Sequence, residues 1–472
     1  MESFAALCLL LGIGHLLRSR SILLQKLYLP CSIIAGLIGL AIIQTGNGLA
    51  GGLYDGDYLG GWEGYRDFWT AGWSSIPGKL INVVFACLFL GVMIPGIKKL
   101  WGRAAPQLAY GQVVAWGQYV VGIGLTLIML TPLFGVHKIF GAIIPVGFEG
   151  GHGTAAGLKE EVFDEYWAEG YDFAMASATA GITSAIIVGM ILVNWAIRRG
   201  YTYKKKKPSR LTAAELRGIY PQDQRPSAGK LTVSADAIET LTLQLVFIGV
   251  AILIGLGIQK LLALAGAGLA GYDGVAGSAG KVLKSFPLFP LAMMGGLLVQ
   301  LYEQKYDKHK LIDTGLMKRI QGIALDFLVV AAIATIKISV LKSLWLPFVI
   351  LIAAGILWNV FCVVVLARRL LPDAWFERSI AEMGQSMGVT ATGLVLLRSV
   401  DGDYESPAAD AFASKQLLHE PFMGGGLWTS AAIPLIAIYG GPVVFYIAVG
   451  GVSIWLIIAM LMKRKRMKLA AG

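Results

Sequence analysis

A glycine-rich stretch that carries one carboxylate and one imidazole is the part of this sequence best suited to hold a ligand. It runs from 144 to 157 between apolar flanks. Glycine lets backbone amides approach a ligand closely, and the start of a short helix directs its N–H groups at an anion. The pattern favours a ligand site, and the alternative is a tight loop whose histidine only satisfies a backbone carbonyl. The candidate residues are Glu149, Gly150, Gly151, His152, Gly153 and Thr154.

A second stretch, from 382 to 393, alternates small residues with amide and hydroxyl side chains. These groups donate and accept hydrogen bonds without fixed charge, so they suit a substrate amine or Na⁺. The alternative is a row of small residues along which membrane helices pack closely. The candidates for substrate contact are Gln385, Ser386, Thr390 and Thr392.

Two charged residues lie inside a third apolar run, 320–341. Asp326 and Lys337 are eleven residues apart, which places them on one face of a continuous helix with about 16 Å between them. Charges within a span usually face the bundle interior or water. We expect Lys337 to attract a substrate carboxylate, although snorkelling to the interface is the alternative. The candidates for the coupling ion are Glu149, Asp326, Ser386 and Thr390.

Composition places these residues in a membrane protein. The chain is 56% hydrophobic and 15% charged, with a mean hydropathy of +0.67, whereas a soluble domain is about 25% charged. The net charge of +11 comes from basic blocks at the ends of apolar runs, which is typical of cytoplasmic loops and not of a nucleic-acid surface. The four cysteines show no ligand spacing, so we expect no transition-metal site.

Apolar runs of about 20 residues predict eleven spanning helices. The first run has its arginines behind it, which indicates a retained helix and not a signal peptide. The predicted spans are 3–17, 27–46, 78–97, 108–131, 171–197, 238–263, 286–301, 320–341, 346–367, 421–440 and 442–462.

The connecting segments alternate in charge and so predict orientation. Basic residues cluster after the first, third, fifth, seventh and ninth spans and at the chain end, while 158–170 is acidic. The positive-inside rule then places the N-terminus outside and the C-terminus inside, with 198–237 and 399–418 in the cytoplasm.

This orientation makes the stretches 139–157 and 377–397 re-entrant hairpins, because each must enter and leave on one side. Each follows four spans and precedes a fifth, and the two halves begin on opposite sides. The sequence therefore predicts an inverted repeat. Its parts are 1–197, a cytoplasmic linker 198–237, 238–440, and an additional helix with a basic tail, 441–472.

The Gly-Gly-His-Gly-Thr stretch of 150–154 resembles the same stretch in the bacterial sodium/glutamate symporter family. The run from Phe173 to Gly181 is similar to the helix that follows it there, and Lys337 falls where those symporters also have a lysine. The resemblance implies an elevator-type homodimer, coupled to Na⁺, that holds its substrate between two hairpins. Glu149 departs from the family, which has serine there, and this bears on the coupling ion and the substrate.

The resulting expectation is an all-α polytopic secondary transporter that imports glutamate with Na⁺ across the cytoplasmic (inner) membrane by alternating access. It needs the lipid bilayer, a small anionic substrate and no cofactor. A proton- or sodium-coupled transporter of another carboxylate or organic anion is the alternative. An enzyme is disfavoured because the five histidines show no metalloprotease spacing and no paired catalytic set accompanies them.

Overall fold

The computed structural model describes residues 2–27, 29–53, 72–203, 217, 219–269, 272, 275–284, 286–401 and 405–471. Helix accounts for 80% of the structure, and none of the described residues is in a strand. Part of the predicted linker 198–237 lies outside the described residues. So does the segment 54–71, which follows the second predicted span.

The first part of the chain, before the linker, folds into helices α1 to α8. These are α1 (Glu2–Arg20), α2 (Ile22–Lys26), α3 (Cys31–Leu53), α4 (Ile76–Ala86), α5 (Ile97–Leu125), α6 (Ile143–Gly147), α7 (Gly151–Gly157) and α8 (Gly170–Arg199).

The second part folds into helices α9 to α19. These are α9 (Thr240–Leu269), α10 (Val275–Lys284), α11 (Leu288–Tyr306), α12 (Thr314–Ala334), α13 (Ile338–Ser343), α14 (Trp345–Phe361), α15 (Trp375–Ser386), α16 (Thr390–Val400), α17 (Ala408–His419), α18 (Leu427–Tyr439) and α19 (Gly441–Ala471).

Within the described residues, six helices are long and apolar enough to cross a membrane. Together with the composition, they define an all-α multi-pass membrane protein. The six are Glu2–Arg20, Ala104–Phe134, Gly170–Arg199, Thr240–Leu269, Trp345–Leu370 and Gly441–Arg464.

Two of the predicted continuous spans are interrupted. The third, 78–97, is helical only to Ala86, and the chain then passes through Gly91 at a φ of +75°. The eighth, 320–341, ends at Ala334 because the Lys337 N–H is donated to the Asp172 carboxylate and not to a carbonyl of its own helix. The prediction that Asp326 and Lys337 share one face of one helix is therefore wrong.

A third difference concerns the segment 399–418, which the sequence analysis reads as a loop. The structure forms α17 there, and its Lys415 and His419 side chains are fully buried. The predicted span 421–440 is helical only from Leu427, after a glycine-containing break. Polar residues that read as solvated therefore belong to the interior of the molecule.

The helices pack as two groups. In the first helix group (α1, α3, α4, α9, α11, α12), Gly39 of α3 faces Ala334 and Gly296 of α11 faces the Ala86 carbonyl. In the second helix group (α5, α8, α14, α17, α19 and the two segments described below), Gly122 of α5 faces Gly141, backbone against backbone. Small residues at these crossings let the helices approach closely.

The two groups meet at α7, which packs against both α4 and α12. A further connection comes from the π-helical turn Lys159–Phe163 after α7, where Glu161 accepts hydrogen bonds from Gln259 Nε2 at 3.2 Å and from the Leu288 N–H at 3.0 Å. Burial raises the pKa of the Glu161 carboxyl above its ordinary value.

Candidate functional site

The first hairpin segment (139–157) is built as two short helices with a break between them. Helix α6 ends at Gly147, and α7 begins at Gly151, whose φ is +69°. A Cβ atom on Gly151 would lie 3.3 Å from the Gly388 carbonyl oxygen. Glycine is thus required both by the left-handed backbone and by the close approach of a second chain segment.

The second hairpin segment (377–397) has the same construction. Helix α15 ends at Ser386 and α16 begins at Thr390, with Gly388 in the break. The two arms pack tightly, since a Cβ on Gly384 would lie 2.6 Å from the Gly393 Cα. The breaks of the two hairpin segments therefore face each other, and we call this region the tips.

Glu149 connects the two tips. Its Oε1 accepts a hydrogen bond from Gln385 Nε2 at 2.9 Å and contacts His419 Nε2 at 2.6 Å. Gln112 Nε2 lies 3.3 Å from His419 Nδ1 and can only donate, so Nδ1 accepts and the His419 Nε2–H donates to Glu149. The second carboxylate oxygen, Oε2, is buried and has no hydrogen-bond partner among the described residues.

Lys415 is the most deeply buried cation beside the tips, with a side chain that is 0% exposed. Its Nζ lies 2.7 Å from Glu382 Oε1, 3.0 Å from Gln385 Oε1 and 2.8 Å from Gln416 Oε1. The ammonium thus donates hydrogen bonds to the two amide carbonyls and forms an ion pair with Glu382. Gln107 Nε2 donates to the other Glu382 oxygen at 2.8 Å.

The network continues to the start of α16. Gln416 Nε2 donates to Thr390 Oγ1 and to Glu420 Oε1, both at 2.7 Å, and the Thr390 hydroxyl donates to Glu420 at 3.1 Å. Three carboxylates, one ammonium, one imidazole, two amides and one hydroxyl thus form one connected group, which we call the tip cluster. Its members are Glu149, Glu382, Gln385, Thr390, Lys415, Gln416, His419 and Glu420.

The other predicted residues of the second stretch lie beside this cluster. The Ser386 hydroxyl donates to Asn359 Oδ1 at 2.6 Å, so it holds α15 against α14. A Cβ on Gly388 would lie 3.1 Å from the Thr392 hydroxyl, which places Thr392 behind the tip. The Gln385 carbonyl, predicted to serve a ligand, is occupied by Lys415, and its amide N–H groups face Glu149.

The predicted residues that follow Glu149 face other helices. His152 is 3% exposed, and its Nε2 lies 2.9 Å from Thr179 Oγ1 on α8. The Thr179 hydroxyl donates to the Met175 carbonyl, so His152 is the donor to Thr179. Thr154 donates to the Gly150 carbonyl at 2.8 Å, and Gly153 packs on Ile81. His152 therefore supports the first tip from the side of α8.

Lys337 and Asp326 lie away from the tips. Lys337 is exposed at the edge of a cavity of about 470 Å³, which also contains Lys159, Tyr171 and Asp172. Asp172 precedes Thr179 by seven residues on α8, or about 10 Å along its axis. Asp326 is on an exposed face of α12 and is hydrogen-bonded to Ser32. The structure thus separates the predicted site into the tip cluster and the Lys337 cavity.

Five residues of the tip cluster were missed by the sequence analysis as site residues: Glu382, Lys415, Gln416, His419 and Glu420. The last four form two i,i+4 pairs, and that spacing puts each pair on one helix face. Such a polar face inside a short segment between apolar runs was the available signal. Among the described residues, no group of three or more His, Cys, Asp or Glu side chains is placed to hold a metal ion.

A multi-pass helical protein with two broken segments that meet at a buried polar cluster belongs to the class of membrane transporters. The profile of the sodium/glutamate symporter family matches residues 74–406. The chain belongs to this family, which confirms the resemblance seen in 150–154 and assigns the protein to symport. No curated protein matches the chain. Glu149, Glu382 and Gln385 lie within the matched range, and Lys415 and His419 lie beyond it.

Proposed function

We propose that this protein is a symporter that imports glutamate with Na⁺ across the cytoplasmic membrane by alternating access, and that the tips hold the substrate. The observation that carries this proposal is the meeting of Gly151 and Gly388, one from each half of the chain, beside a buried cluster of charged groups. Broken helices at a repeat interface are the usual place of substrate and ions in secondary transporters.

The proposed substrate contacts are the backbone and side chains of 150–154 together with the polar face of the second tip. The backbone N–H groups at the starts of α7 and α16 are the proposed contacts for the substrate carboxylates. The unpaired Glu149 Oε2 is the oxygen best placed to bind the coupling cation, because a buried lone carboxylate oxygen is costly without a positive partner. Ser386 and Thr390 remain secondary candidates, since both hydroxyls already have acceptors.

The Lys337 cavity is the proposed first contact for the substrate. It places Lys337 and Lys159 near Asp172, so it offers charges for both the carboxylates and the amine of an amino acid. Asp326 is a less favoured ion ligand, because it is exposed on α12 and is not part of the tip cluster.

The proposed architecture keeps the eleven spans, the re-entrant hairpins and the inverted repeat of 1–197 and 238–440. One feature supports the repeat. The helix before each hairpin segment carries a π-helical turn, Thr126–Leu130 after α5 and Cys362–Leu366 after α14. Such turns are rare, so their matching positions favour two related halves.

Elevator movement and a homodimer complete the proposal. The division into two helix groups favours movement of the second helix group, which carries most of the tip cluster, along the first. The first helix group presents its outer face, including Asp326, for contact with a second copy. The N-terminus is placed outside and the C-terminus inside.

The decisive experiment is uptake of radiolabelled L-glutamate into proteoliposomes with an inward Na⁺ gradient. We expect accumulation that collapses when choline replaces Na⁺ on both sides. Liposomes without protein give the background. Proteoliposomes treated with a Na⁺ ionophore give the uptake in the absence of a Na⁺ gradient. Equal accumulation in Na⁺ and choline would reject Na⁺ coupling.

A second candidate is a proton- or sodium-coupled transporter of another carboxylate or organic anion. Glu149, in the place of the family's serine, favours it because a titratable group in a membrane commonly carries protons. Competition of glutamate uptake by a panel of mono- and dicarboxylates separates the candidates. Uptake in choline medium that is driven by an inward proton gradient would favour this second function.

A further inference from the structure

We propose that the Lys415 ammonium is a tethered cation that takes the place of one coupling ion beside the tips. The inference deepens the proposed function and rests on it. The protein would then carry one of its positive charges permanently, on α17, and would need one free cation fewer to close the site.

The surroundings of Lys415 have the composition of a cation site. Its Nζ contacts one carboxylate oxygen, from Glu382, and two amide carbonyl oxygens, from Gln385 and Gln416, all between 2.7 and 3.0 Å. Carboxylate and carbonyl oxygens are the ligands that hard cations such as Na⁺ prefer. The three oxygens come from α15 and α17, so the cation holds the second hairpin segment to the helix that follows it.

The charge of Lys415 is required by Glu382. The Glu382 side chain is 0% exposed, and apart from Lys415 its hydrogen-bonded partner is the neutral Gln107 amide. A buried carboxylate without a positive partner is strongly unfavourable. If the ammonium were absent, the same place would have to be filled by a free cation.

The ammonium also fixes the direction of two amides. Because it can only donate, Gln385 and Gln416 turn their carbonyls toward it and direct their N–H groups at Glu149 and Glu420. A bound Na⁺ would select the same orientation, since it also attracts carbonyl oxygens. Lys415 thus keeps the tip cluster assembled before any ion has bound.

The test removes the ammonium and offers free cations instead. Lys415→Ala leaves a space beside Glu382 that is large enough for a small cation. In proteoliposomes at low Na⁺, we expect its L-glutamate uptake to fall about tenfold or more below that of the unmodified protein, equivalent to the loss of one good polar contact. We expect raised Na⁺ or added methylammonium to restore it, with a steeper dependence on Na⁺.

Two variants serve as controls. E382Q/K415A removes the carboxylate as well, so methylammonium should give no restoration there. Lys138→Ala removes an exposed lysine that donates to the Ala437 carbonyl, and it should keep the unmodified dependence on Na⁺.

Two results would overturn the proposal. One is K415A transport with the unmodified dependence on Na⁺. The other is K415A that keeps the unfolding temperature of the unmodified protein but whose lost uptake no cation restores, which would show that the lysine is needed for another reason. If the unmodified protein takes up no glutamate, the proposed function fails while the inference stays testable. Na⁺ or methylammonium should still raise the unfolding temperature of purified K415A and leave that of E382Q/K415A unchanged.

Discussion

Glu149 is the residue at which the first tip, the second tip and α17 are joined. If its free Oε2 binds the coupling cation, Glu149→Gln should raise the Na⁺ concentration for half-maximal uptake by about tenfold or more. The variant amide oxygen still accepts from Gln385 and His419, so the fold should persist. The measurement is glutamate uptake against Na⁺ concentration, with the exposed Glu165→Gln as the matched control. An unchanged Na⁺ curve in E149Q would remove Glu149 from ion binding.

Two substitutions distinguish a role of His152 in positioning the first tip from direct contact with the substrate. His152→Ala should reduce glutamate uptake about tenfold, because it removes one buried hydrogen bond worth about 1.4 kcal/mol and loosens the first tip. Thr179→Val keeps the imidazole and removes the acceptor of that bond, together with the hydrogen bond from the Thr179 hydroxyl to the Met175 carbonyl. Similar losses in both variants would assign His152 to positioning the tip, and a loss confined to H152A would indicate direct contact with substrate.

Substitution of Lys337 tests whether the Lys337 cavity contacts the substrate. Lys337→Met keeps the side-chain stem and removes the charge, so we expect a rise of about tenfold in the KM for glutamate with little change in kcat. Lys159→Met, on the same cavity, should act in the same direction. The exposed Lys79→Met is the control. A normal KM in K337M would indicate that the Lys337 side chain only extends to the membrane–water interface and does not attract substrate.

Chemical type identified Glu149, Gln385 and Thr390 from the sequence, but the partners of these residues could not be predicted from it. Glu149 and Gln385 are both conspicuous in an apolar chain, yet nothing local indicates that they bond each other across 236 positions. Gln385 was expected to offer its carbonyl to a ligand. That carbonyl instead faces Lys415, whose burial depends on a helix that reads as a loop.

At the scale of the element, the break in each hairpin segment depends on backbone that only glycine adopts easily. Gly151→Ala should strain a residue at φ +69° and push it toward the Gly388 carbonyl. We expect a loss of stability of about 1–2 kcal/mol and severely reduced uptake. Gly249→Ala, on a helix position with no atom within 4 Å, is the control and should behave normally. Unfolding temperature and uptake are the measurements, and a neutral G151A would contradict the tip geometry.

Element boundaries could be predicted from the sequence where glycine or proline marks them. The prediction failed where tertiary contacts determine the boundary. The glycines of 147–153 predicted the first break. The end of α12 at Ala334 has no such mark, because it depends on a hydrogen bond from Lys337 to Asp172, 165 positions away. Likewise α17 is polar enough to resemble a loop, and its burial against α5 and α15 stabilises it as a helix.

At the scale of the whole molecule, the alternation of loop charge makes a direct prediction. Cysteines introduced singly at Glu165 and Ser227, both exposed, should react with an impermeant maleimide from opposite sides of the membrane. The background protein needs its cysteines Cys8, Cys31, Cys87 and Cys362 replaced. Labelling of both positions from one side would contradict the inverted repeat, and permeabilised membranes provide the control for reactivity.

Composition alone sufficed for the class of the molecule, since an apolar chain of this length must be solvated by lipid. The grouping of helices could not be predicted in the same way. It depends on which small residues face each other, as Gly122 and Gly141 do, and one chain contains many glycines at suitable spacings.

The partners of Glu149 have a consequence for how the protein is made. Gln385 and His419 follow it by 236 and 270 positions. A ribosome that adds about 5–20 residues per second reaches them roughly 12 to 54 s after Glu149 has been synthesised. Until then the carboxylate lacks these two partners, so the insertion machinery must keep the first hairpin segment beside water or protein. Nascent chains halted before α17 should therefore be preferred substrates of membrane quality-control proteases.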